Sequence, residues 1–122
     1  MVRILISSIL FAGMLAGPAL ANGKADPACV AMQASLKPRQ QEIDTLVARR
    51  GASAEAVEIT GQAWEDAEVH RLVSAPHAAT ADRAKSAYEE AKKQLARDEL
   101  VLQSALAQFN TDVAAFNARC TR

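Results

Sequence analysis

The sequence predicts an all-α protein: a long antiparallel helical hairpin, coiled-coil-like, with kinks near Pro38 and Gly51 and a disulfide closing its open end. Three observations carry this expectation. From Thr80 to Cys120 the chain runs about forty residues without one Gly or Pro. Within that stretch Ala84, Tyr88, Ala91, Leu95, Leu102, Ala105, Phe109, Val113, Phe116 and Cys120 mark one face of a helix. The mature chain has two cysteines, and the midpoint between Cys29 and Cys120 falls at 74.5, inside the clearest turn of the sequence, Ser74-Ala75-Pro76-His77-Ala78.

Taken in order, the chain begins with a short basic start, Met1-Val2-Arg3, followed by an apolar run from Ile4 to Leu15. Ala16-Gly17-Pro18-Ala19-Leu20-Ala21 then places small residues where a signal peptidase reads them. Residues 1–21 are expected to be a secretory signal, cleaved before Asn22, because the apolar run is too short to span a bilayer. The remaining 22–122 is one helical domain, periplasmic or secreted, with no membrane association once the signal is gone. In an oxidising compartment Cys29 and Cys120 are expected to pair.

Asp26-Pro27 is a good helix start, with Asp as N-cap and Pro at the first helical position. Cys29, Met32, Leu36, Ile43, Leu46 and Val47 keep helical spacing up to Arg49-Arg50-Gly51. Pro38 removes a backbone donor and crowds the carbonyl of Ala34, which predicts a kink or short break near Leu36 and Lys37. Gly51 is a plausible stop or kink, with Ser53 able to cap a further segment. The first arm is thus read as 27–50 and 53–73, the turn as 74–79, and the second arm as 80–120, capped by Thr80.

The cysteines discriminate among topologies. A sharp reversal at Gly51 gives an up-down-up bundle, and a straight forty-residue helix of about 60 Å would carry Cys120 away from Cys29. With one reversal at Ser74 to Ala78 the cysteines meet. Pairing residues whose numbers sum to 149 then sets Leu36 opposite Val113, Ile43 opposite Leu106, Val47 opposite Leu102, Ala54 opposite Leu95 and Gly61 opposite Tyr88. Three alternatives stand beside it: a four-helix arrangement broken near Arg97-Asp98-Glu99, the up-down-up bundle with an intermolecular disulfide, and a hairpin whose arm before Pro38 peels away.

Composition bounds the function. Without its first 21 residues the chain has thirteen Lys or Arg against fourteen Asp or Glu. That balance provides no electrostatic footprint for nucleic acid or an anionic membrane. Beyond residue 21 only Trp64, Tyr88, Phe109 and Phe116 carry Phe, Tyr or Trp rings, so the core must be thin and the helices must meet through alanines. A thin two-helix core calls for further cover, either self-association or a protein partner.

No Gly-flanked serine elbow, phosphate-cradling loop or His-Glu-x-x-His helix is present in the sequence, and the expectation is a non-catalytic protein without a cofactor. Asp66 lies one helical turn before His70, and His77 follows the turn, so the alternative is a periplasmic divalent-metal binder or sensor taking zinc, nickel or copper at Asp66, His70 and His77. An enzyme of unknown type comes third and has no residues to nominate. Trp64 sits among Glu65, Asp66 and Glu68 and is read as core or as an interface residue. Phe109 and Phe116 are read as the thickest core layer. Glu89 to Glu99 is read as a mixed-charge, solvated helix face.

Overall fold

A computed structural model describes residues 26–121; the expected signal sequence lies outside the described residues. Two helices make up the described residues, α1 (Pro27–Glu68) and α2 (Ala75–Cys120), packed against each other as an antiparallel hairpin. At 1.5 Å per residue they are about 63 and 69 Å long. The single reversal lies between them, and the Cys29–Cys120 disulfide closes the opposite end with its Cα atoms 5.7 Å apart.

Local chemistry sets the ends. The Asp26 carboxylate accepts a 2.9 Å hydrogen bond from the Ala28 amide, and Pro27 occupies the first helical position. Such a cap satisfies one of the orphan donors at a helix start. At the far end, the amides of His70, Arg71 and Val73 donate to the carbonyls three residues earlier, and these tighter bonds wind α1 down. Ser74 then adopts an extended conformation (φ −164°, ψ 167°) and caps α2, with Pro76 in the first turn, where no backbone donor is needed.

The seam follows a heptad on both helices. On α1 the positions facing the partner include Cys29, Leu36, Ile43, Val57 and Trp64 at one heptad site and Met32, Leu46, Ser53, Thr60 and Ala67 at the other. On α2 they are Ala81, Tyr88, Leu95, Leu102, Phe109 and Phe116, alternating with Ala84, Ala91, Asp98, Ala105 and Asp112. Ala81, Ala84, Ala91 and Ala105 on the α2 seam let the helices approach closely, so the core is a strip one side chain thick. Only Ile43 and Ala81 among its apolar members are buried.

The 149 register holds along the length. Arg50 Nη2 meets Glu99 Oε1 at 2.9 Å, and Lys85 Nζ lies 5.8 Å from the centre of the Trp64 ring. At Gly61 an added Cβ would stand 3.2 Å from the Tyr88 ring, so a small residue faces a large one as expected.

Four expectations need correction. Pro38 and Gly51 do not divide the first arm: α1 passes through both without a break. Both positions are exposed, and a helix packed along its whole length tolerates one missing backbone bond and one flexible residue. Ser53 is not a cap, since its hydroxyl points across the seam to Asp98. The first arm ends at Glu68 rather than Val73, and α2 starts at Ala75 under Ser74 rather than at Thr80, whose hydroxyl donates back to the Pro76 carbonyl. Residues Arg97 to Glu99 are continuous helix, which removes the four-helix alternative. The intrachain disulfide removes the up-down-up bundle, and the arm before Pro38 stays docked.

Candidate functional site

Three features stand out from an otherwise repetitive seam: a polar layer at its middle, an apolar groove near the disulfide, and the tip.

The polar layer centres on Asp98, which is 2% exposed. Its carboxylate accepts from the Ser53 hydroxyl at 2.5 Å and from Gln94 Nε2 at 3.0 Å, and it pairs with Arg49 at 2.6 Å. The Ser53 hydrogen bond above all, with Gln94 and the Arg49 guanidinium, holds the Asp98 carboxyl below the usual carboxylate range against the opposing effect of burial. The seven-residue series Ala84, Ala91, Asp98, Ala105, Asp112 puts both acids on the seam. Reading Asp98 into the solvated charge run was therefore wrong, and that series was the signal that would have found it. Its neighbours Glu89, Glu90, Lys92, Lys93 and Arg97 do form surface pairs. Asp112 repeats the theme less completely: Arg39 Nε lies 2.9 Å from its Oδ2 without hydrogen-bond alignment, while Gln108 donates to Oδ1.

Toward the disulfide, Leu36, Phe109, Val113 and Phe116 line a groove of about 600 Å³ on one side of the hairpin, with Gln33 and Lys37 at its rim. The two phenylalanines are half-buried. The two helices alone do not enclose them.

At the tip Val69, Leu72 and Val73 are 77%, 97% and 65% exposed. Arg71 bridges Glu68 and Asp82, donating to both carboxylates, and its guanidinium holds the Glu68 carboxyl below its ordinary value. Trp64 is half-buried: its ring stacks on Tyr88 with centroids 5.5 Å apart, and its indole N–H donates to Glu68 at 3.2 Å. It belongs to the seam and to the rim at once. The His70 and His77 rings stand 6.1 Å apart, and His77 Nδ1 lies 2.7 Å from the Ser74 hydroxyl. Asp66 does not join them: among the described residues, no three metal-capable side chains gather in one place.

Comparison with protein-family models, with curated proteins and with solved structures finds no match to this chain.

Proposed function

We propose that this chain is a small exported helical protein of the cell envelope, periplasmic and non-catalytic, that acts by binding another protein or a second copy of itself. The observation that carries this reading is the open groove at Leu36, Phe109, Val113 and Phe116. A groove of aromatic and branched side chains lined also by amides suits the apolar face of an incoming helix. The polar rim and the near-neutral charge leave apolar burial as the driving force.

The export half rests on residues 1–21 alone, whose basic start, apolar run and small-residue end meet the physical requirements of a secretory signal.

The experiment is sedimentation of the disulfide-bonded protein, alone and after a non-reducing pull-down, with Val113→Glu as the comparison. Val113 is half-buried and lines the groove, so a charge there blocks docking. Self-association or a retained partner that Val113→Glu abolishes supports the proposal. A monomer that retains no partner, or association indifferent to Val113→Glu, refutes it.

A further inference from the structure

We propose that the hairpin tip is a two-histidine site for a divalent transition-metal cation, formed by His70 from the turn and His77 from the first turn of α2. This stands apart from the groove and does not depend on it. Three observations lead to it.

The first is distance. With metal–nitrogen bonds of about 2.0–2.1 Å, two imidazoles on one ion stand roughly 5–6.5 Å apart between ring centres, depending on the angle at the metal. His70 and His77 are 6.1 Å apart and tilted by 54°, a separation at the wide-angle end of that range.

The second is orientation. The Ser74 hydroxyl, fixed as the cap of α2, contacts His77 Nδ1 at 2.7 Å. An outer partner of this kind orients a ligating imidazole and, when the ring N–H is the donor, leaves the other nitrogen with its lone pair outward. The third is charge. Both rings are exposed. Arg71, next to His70 in the chain, is paired with Glu68 and Asp82, so its charge is already compensated.

Two imidazoles with water completing the coordination suit copper(II) best, then nickel and zinc, and do not suit calcium or magnesium. The bound ion would tie the turn to α2, a second closure at the end opposite the disulfide.

The test is a calorimetric titration of the disulfide-bonded protein with copper(II) chloride, beside His70→Ala and His77→Ala. Both side chains are exposed, so neither variant disturbs the seam. One ion per chain is expected, each substitution weakening binding by about tenfold or more. Electron paramagnetic resonance of the copper-loaded protein should show two coupled imidazole nitrogens, reduced to one in either variant. Absence of binding to the unsubstituted protein, unchanged affinity in either variant, or a single coupled imidazole would overturn the proposal.

Discussion

Ser53 on α1 donates a 2.5 Å hydrogen bond across the seam to Asp98 on α2, and Asp98 is among the least exposed residues of the hairpin. A carboxylate at a heptad core position has one place where its donors meet it. Sliding α2 by one heptad would withdraw Ser53 and Arg49 and leave the buried charge with only Gln94 of its own helix, a heavier loss than any mispaired alanine. Asp98 thus selects the register that the alanine-rich seam alone leaves loosely specified.

This arrangement makes stability depend on acid. Asp98 is held below its unfolded value of 3.8, so its contribution is fully present above that value. As pH falls below about 4 the unfolded chain takes up the proton first, and stability is lost progressively as pH drops through the folded value. Denaturant unfolding at pH 7 and pH 3 should show this loss, and Asp98→Asn should lose less between the two. An equal loss in both proteins would remove Asp98 from the explanation.

Glycine at 51 and at 61 should respond in different ways to alanine. Neither has a positive φ. A Cβ at Gly51 meets nothing within 4 Å, so Gly51→Ala should stabilise by about 0.5–1 kcal/mol through helix propensity. At Gly61 the Cβ stands 3.2 Å from the Tyr88 ring, which must give by a few tenths of an ångström while stacked on Trp64. Thermal unfolding should therefore rank Gly51→Ala above Gly61→Ala.

Ile43 is 6% exposed and lies between two polar layers. Ile43→Ala should cost about 2–3 kcal/mol, near the low end for such truncations because a strip one side chain thick can settle into the space. Equilibrium unfolding in urea measures it, and a loss under about 0.5 kcal/mol would mean that this seam is not where the hairpin is held.

Reducing the disulfide, or replacing both cysteines by serine, should cost up to about 4–5 kcal/mol, the loop-closure figure for a loop of 91 residues. Hydrogen exchange should accelerate first between Asp26 and Leu36 and beyond Val113, where the remaining closure is the 3.6 Å pair of Arg119 with Asp26.

The hairpin was legible because its evidence is arithmetic: a long uninterrupted helical period, one strong turn, and two cysteines equidistant from it. The register followed from the same cysteines, and Gly61 facing Tyr88 bears it out. The boundaries were less legible. Pro38 and Gly51 are local helix breakers whose preference was overridden by packing along α1. Ser74 took the capping role assigned to Thr80, because an extended residue just before Ala75-Pro76 is the better start. Asp98 was hidden by its neighbours. Between Arg97 and Glu99 it looks like part of a charged surface, and only its seven-residue spacing from Ala91 and Ala105 betrays its direction. Of the sites, the His70–His77 juxtaposition was anticipated across the turn, while Asp66 proved not to share it.

The link between Cys29 and Cys120 has a mechanical consequence. Tension applied at Asp26 and Thr121 runs through the sulfur bridge and bypasses both helices, which carry no load while the bridge is intact. Reduction places the intervening loop in series with that pull and releases, once the helices yield, a contour on the order of 300 Å.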